Sequence, residues 1–557
     1  MKSSIILFLS TVCFMTISLA QTEEQKLQAF IDNHVKTVEP KFKAMNIANW
    51  NASASGEKKY YDEQAALELD VRRIYSNKEE FEQIKRWMGS NAIKEPLLHR
   101  QLIVLYNSYL PNQLDSALLK QIVDKAAEIA NKFNTFRGTI DGKEVTDNDI
   151  VEILQKETDS AKREKAWEAS KMVGKAVAPM IVELVRLRNE AARKLGFQNY
   201  YEMMLVTAEQ SENEVIAVFD ELKKLTDKPF AQLKSEIDTK LAAKWGIDPA
   251  AMKPWHYQDR FFQEAPQISE VDFDKYFAGK KVEDLGRSFY ANFGLPVDDI
   301  LKNSDLYERK GKYQHAFETD IDRLGDIRVM LNIKNNHEWM STMLHELGHG
   351  VYSKNERRDL PFLLRSEAHI FLTEGIAELM ERQADNADWL HLMVGVDDKE
   401  KEQIREAGKE NLRMKELIFC RWTQVMVRFE RGMYQNPDQN LNKLWWDLVS
   451  EYQLIKCPEG RNEPDWAAKI HLAQVPVYYH NYQLGELFAS QLQHYIAVQI
   501  LKDPSNPEPS YANHPEIGRY LKERVFAPGA TMRWDELVRY ATGEPLTAKY
   551  FAEEFVK

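Results

Sequence analysis

The sequence predicts a mainly α-helical protein, and three observations carry that prediction. Its 557 residues include only 23 Gly and 20 Pro. That is about 8% of the chain against a usual share near 12%, so elements run long without a breaker. A stock of 23 Tyr, 25 Phe and 12 Trp supplies a large core and excludes intrinsic disorder. Apolar residues then recur at three- and four-residue spacing, with acids and bases interleaved, through most of the chain.

Taken in order, residues 1–20 read as an address. Lys2 is a positive start, Ile5 to Leu19 form a short apolar run, and Ser18-Leu19-Ala20 places small residues where a signal peptidase cuts. The expectation is a cleaved signal and a secreted or periplasmic protein over residues 21–557. No later stretch reaches 18 apolar residues, so no membrane association is expected after cleavage. Amphipathic helices are predicted around Glu63–Tyr75, Asp115–Phe133, Arg163–Leu195, Glu212–Trp245, Asp398–Arg431 and Ser490–Leu501. Asp141-Gly142 within Phe136–Lys143 marks a small hairpin. The best strands are Gln314–Phe317 and Asp326–Ile333. No fixed-period repeat or Pro/Ser linker divides the chain, which reads as one large helical unit. A net charge of −12 without a basic block excludes nucleic acid as a partner. Two cysteines, Cys420 and Cys457, follow the signal, and spacing does not fix whether they pair.

The chemistry concentrates between His345 and Glu378. Met340–Tyr352 reads MSTMLHELGHGVY. A helix puts His345 and His349 on one face with Glu346 beside them, the pattern of two neutral imidazoles for zinc and a carboxylate to take a proton from water. With 13 His in the chain, independent frequencies give this pattern by chance about three times in a hundred. Tyr352 and Asn355 occupy the positions where a Gly and a third His would extend the motif, so the third ligand is sought among Glu356, Glu367, Glu374 and Glu378. Glu356 is too close for the chain to turn and return. Arg365–Glu381 reads as a returning helix with Glu374 and Glu378 on one face. One can bind zinc while the other orients a ligand histidine through its free ring N–H.

These motifs, together with Tyr106–Gln113, Lys165-Ala166-Trp167-Glu168, Trp445-Trp446, Lys469-Ile470-His471 and Gly543-Glu544-Pro545, resemble the angiotensin-converting-enzyme family of zinc dipeptidyl carboxypeptidases. A more distant likeness is to the thimet-type oligopeptidases. The resemblance implies a helical ellipsoid of two lobes with a deep central cleft, and helices of about residues 23–110 as a lid. It implies one zinc on His345, His349 and Glu374, with Glu378 behind them and Glu346 as general base. His471 and Tyr482 match the donors to the tetrahedral intermediate. The His-to-Tyr spacing is one residue longer than in the mammalian enzymes, so Tyr478 and Tyr479 compete with Tyr482 for that role. Lys469 and Tyr479, with Gln258, match the pocket for the peptide's C-terminal carboxylate, and His315-Ala316 the strand that pairs with substrate. Asn481 replaces an arginine of the family's chloride sites. Lys171 stands where the partner of Arg428 would be, which argues against chloride activation. The expected function is hydrolysis of short peptides with release of C-terminal dipeptides. The alternatives are an oligoendopeptidase without a carboxylate requirement and an inactive binding homologue.

Overall fold

The computed structural model describes residues 21–268, 271–313 and 315–556, so the signal segment and Gln314 lie outside the described residues. Helices dominate, as the scarcity of breakers requires. The predicted stretches appear as Lys58–Tyr75, Ser116–Thr135, Ser160–Lys194, Glu212–Trp245 and Asp398–Gln435. His480–Tyr495 continues as a wider turn over Ile496–Ile500. Polar residues start these helices. Asp397, Ser211 and Asp159 accept backbone N–H groups at the first turn, satisfying donors that have no partner within the helix.

Among the described residues there are two small antiparallel sheets. Gly138–Ile140 pairs with Lys143–Val145 around Asp141-Gly142, the predicted hairpin. Phe317–Asp320 pairs with Ile327–Met330, with Phe317 opposite Met330. The first strand begins at Phe317 rather than ending there, so His315 and Ala316 precede the ladder.

Apolar side chains gather in two large cores. One holds Phe289, Tyr290, Leu344, Leu347, Ile376, Leu379, Leu487 and Phe488. The other holds Trp167, Val177, Phe219, Ile237, Trp422, Phe429, Trp466 and Tyr479. The helix His480–Tyr495 and the long helix Asp398–Gln435 contribute to both, which sets the segment between them at the junction of the cores. Helices Glu23–Ser55, Lys78–Gly89 and Pro96–Tyr109 build a third cluster, with Leu27, Ile31, Ile84 and Leu102 packed beside Phe362 and Leu363. Cys420 and Cys457 are free thiols. No described helix is long and apolar enough to cross a membrane.

Candidate metal centre and peptide site

Asn336 caps the helix His337–Asn355, its side chain accepting the Trp339 N–H. One turn separates His345 from His349, so both imidazoles leave the same face. The helix expected over Arg365–Glu381 starts later, at Ile370. Phe362–Leu364 first make a tight turn, and His369 then caps the helix with a ring nitrogen 3.3 Å from the Phe371 N–H. The two helices meet at a glycine: a Cβ on Gly348 would lie 2.8 Å from the Ala377 Cα. The helix His480–Tyr495 closes on the other side, where a Cβ on Gly485 would meet Glu374 Cβ at 3.1 Å and Glu378 Oε2 at 2.9 Å. Glycine permits both approaches.

That packing gathers His345, His349 and Glu374, whose donor atoms lie within 4.8 Å of one another. The two Nε2 atoms are 3.3 Å apart, and Glu374 Oε2 is 3.8 Å from His345 and 3.7 Å from His349. A tetrahedral zinc with bonds near 2.0–2.1 Å sets neighbouring nitrogens about 3.3 Å apart, so the donor set fits this ion. Each imidazole is also turned by its other nitrogen. His345 Nδ1 is 2.7 Å from Glu381 Oε2, and His349 Nδ1 is 2.7 Å from Thr373 Oγ1. Both can donate there, leaving Nε2 lone pairs toward the metal position.

The carboxylate behind His345 is therefore Glu381 and not Glu378. Glu381 lies seven residues beyond Glu374, on the same face, and Lys415 of the long helix pairs with its other oxygen. Glu378 Oε2 is buried and makes no hydrogen bond among the described residues. Burial, then the Glu486, Glu374 and Glu416 carboxylates, push Glu378 well above the usual carboxylate range. Burial alone would favour neutral His345, yet Glu381 lifts it to about 9 without metal, so a metal ion would have to displace a proton from its Nε2. Burial and the neighbouring His345 hold His349 well below the ordinary value. Glu346, also buried, is raised to about 7 by desolvation.

The tyrosine segment adds a contact that spacing did not reveal. Tyr478 donates to Glu374 Oε1 at 2.8 Å, so one oxygen of Glu374 is held while the other faces the histidines. The Tyr482 ring lies 5.2 Å from that of Tyr478 and 5.3 Å from that of Tyr479. Burial first, then the Glu374, Glu378 and Glu346 carboxylates, raise the Tyr482 hydroxyl's pKa. His471 is pushed down to about 3 by burial, then by Lys469 and His315. It is neutral and retains one N–H to donate. The His315 ring lies 5.4 Å from that of Tyr313.

Lys469 sits in an aromatic box, its Nζ 5.7 Å from the Phe261 ring, 5.4 Å from Trp422 and 5.5 Å from Tyr479. It donates to Gln263 Oε1 at 2.6 Å. Gln258, expected here, instead accepts from the Gln267 N–H at 2.7 Å. Gln258 and Phe262 both take left-handed backbone, with φ of 67° and 53°, which folds Gln258 back on its own loop and presents Gln263. Tyr479 accepts the Trp422 indole N–H at 2.8 Å, so its own O–H remains to donate. Arg428 is bound to Asp220 at 2.6 Å, and Lys171 lies 3.2 Å over the Phe261 ring.

The profile of Peptidase family M3 matches residues 153–557. The chain belongs to this peptidase family. The chain is also similar to angiotensin-converting enzyme of Bos taurus, 23% identical over 421 residues covering 68% of this chain and 31% of that protein. To the enzyme of Mus musculus it is 22% identical over 581 residues, covering 96% of this chain and 43% of that one. The chain thus spans less than half the length of these curated relatives. The resemblance read from the motifs holds in both directions, and the M3 match contains every residue of the metal centre. Family M3 peptidases are zinc-dependent, in keeping with the donor set. In this member of family M3, Glu381, Thr373 and Gln263 escaped the sequence reading, where Tyr478 stood only as a rival of Tyr482 and not as a partner of Glu374. Only Glu381 left a signal there, its heptad distance from Glu374.

Proposed function

We propose that this metallopeptidase releases dipeptides from the C-termini of short peptides outside the cytoplasm. Residues 21–557 would act as one catalytic unit, with the helices of residues 23–110 as its lid. The observation that carries the exopeptidase reading is Lys469. A half-buried ammonium boxed by aromatic rings is costly unless an anion joins it, and its bonded partner among the described residues is the neutral amide of Gln263. A peptide carboxylate supplies that anion, with the Tyr479 hydroxyl as a second donor.

Zinc held by His345, His349 and Glu374 would supply a Lewis acid for the scissile carbonyl and acidify the attacking water. Glu346 takes the proton of that water and passes it to the leaving amine, a task suited to a buried carboxyl raised to about 7. His471 and Tyr482 donate to the oxygen on which charge develops. Glu381 and Thr373 hold the imidazoles in the required tautomer. Export rests on residues 1–20. Chloride dependence is not proposed, because Asp220 already neutralises Arg428.

Asp259 and Glu264 favour a second reading. Burial lowers Lys469 to about 8, and these two carboxylates act to raise it. If they balance the amine, the enzyme is an oligoendopeptidase. Comparing a blocked tripeptide with its C-terminal amide separates the two. A charge-assisted contact contributes about 1.5–3 kcal/mol, so amidation should lower kcat/KM by roughly 10- to 150-fold. Lys469→Met should cost the acid a similar factor and spare the amide. Equal cleavage of acid and amide at internal bonds would establish the endopeptidase.

A further inference from the structure

The segment between the short helix His471–Gln474 and the helix His480–Tyr495 contains a backbone outlier. Val477 has φ of 57°, a conformation in which a β-branched side chain is crowded by its own backbone. Pro476 precedes it and offers no N–H. The turn is gripped from two sides. Arg188 Nη2 donates to the Ala473 carbonyl at 2.7 Å. Glu430, in the long helix Asp398–Gln435, accepts the Val477 N–H at 2.8 Å. Glu430 is only 3% exposed and has no role in the chemistry above. Immediately beyond the outlier the chain divides its tyrosines: Tyr478 reaches Glu374, while Tyr479 turns to Trp422 and the Lys469 box.

Strained backbone persists where its surroundings over-determine it, and here those surroundings serve the metal ligand. We propose that Glu430 is a positioning residue: by holding the Val477 N–H it keeps the turn left-handed, which aims Tyr478 at Glu374 and sets the tyrosine pair against which Tyr482 packs. The proposal rests on the peptidase reading for its kinetic consequence but not for its effect on metal binding. Burial, against the Val477 N–H and Arg188, raises Glu430 to about 8. At neutral pH glutamine is then a close mimic of the neutral carboxyl.

The test is a cycle of Glu430→Ala and Val477→Gly, with Glu430→Gln as the conservative control. Zinc affinity is read by competition with a chromophoric chelator, and kcat and KM on a blocked tripeptide. Removing a group that supports a metal ligand lowers affinity or turnover by about 10- to 100-fold. Glu430→Ala should fall in that range for both zinc affinity and kcat, with KM within about 3-fold, whereas Glu430→Gln should retain both within about 3-fold. Glycine takes the left-handed conformation without crowding. In the Val477→Gly background the Glu430→Ala loss should therefore shrink to about 3-fold or less. If Glu430→Ala does not fold, Glu430→Asp withdraws the acceptor by one methylene and enters the same cycle. Unchanged zinc affinity in the single variant, or an equal loss in both backgrounds, overturns the proposal. Zinc coupling in a protein that cleaves neither the acid nor the amide would uphold the positioning role and reject the proposed function.

Discussion

At the level of single residues, the site separates holding from reacting. Glu374 uses one oxygen for Tyr478 and turns the other toward two imidazole nitrogens. Tyr478→Phe should therefore weaken zinc binding by about 10-fold, measured by chelator competition. Tyr482→Phe should leave zinc in place and lower kcat by roughly 10²-fold, because it removes a donor to developing charge. The reverse assignment would follow if Tyr478→Phe alone lost turnover at full zinc occupancy. Lys469 gives a pH signature. Burial depresses it to about 8, so it is charged below that pH and loses its charge above it. In the free-acid substrate, kcat/KM should fall as pH rises through about 8, and the amide should lack this limb. Matching profiles for acid and amide would detach Lys469 from carboxylate binding. His345 and His349 were legible because a helix puts residues four apart on one face; the same rule left Glu374 and Glu378 open, and the resemblance chose Glu374. Tyr478 was not legible, since adjacent tyrosines in an irregular turn carry no periodicity to rank them.

Among elements, three helices converge on glycines, and this brings Glu374 to the histidines. A methyl group at Gly348 would collide with the Ala377 backbone, which cannot swing aside as a flexible side chain can. Gly348→Ala should cost about 1–3 kcal/mol through overpacking, read by denaturant unfolding, with a loss of zinc affinity beyond that of an exposed Gly→Ala control. Unchanged stability and zinc affinity would mean that the helices do not need this approach. The same convergence explains the Glu381 correction. Both acidic residues lie on the inner face, but which one meets a histidine depends on how far the helices slide past one another. That offset is a tertiary quantity, absent from the sequence of either helix. Helix positions were readable from periodicity and caps. The late start at Ile370 was not, because His369 serves as a cap through its ring.

Over the whole molecule, two apolar cores meet beneath one polar seam. Trp422 and Tyr479 belong to one core and Ile376 and Leu487 to the other, while Glu374, Tyr478 and Lys469 occupy the line between them. Few breakers and many aromatics announced the helices and the size of the core. The division into two cores was not readable, because contacts between distant helices leave no local pattern. The seam also explains why buried carboxyls gather there. Glu346, Glu374, Glu378 and Glu381 are costly to bury singly; Lys415 pairs with Glu381, and a cation at the metal position would offset the charge of Glu374. The central claim is that this seam is a zinc peptidase site with Glu346 as its base. Its most direct test is the hydrolysis rate of a blocked tripeptide per bound zinc in Glu346→Gln, which keeps the shape and removes the proton acceptor. The rate should fall by at least about 10²-fold with zinc retained at one per chain, whereas a rate within a few fold of the parent would contradict the account.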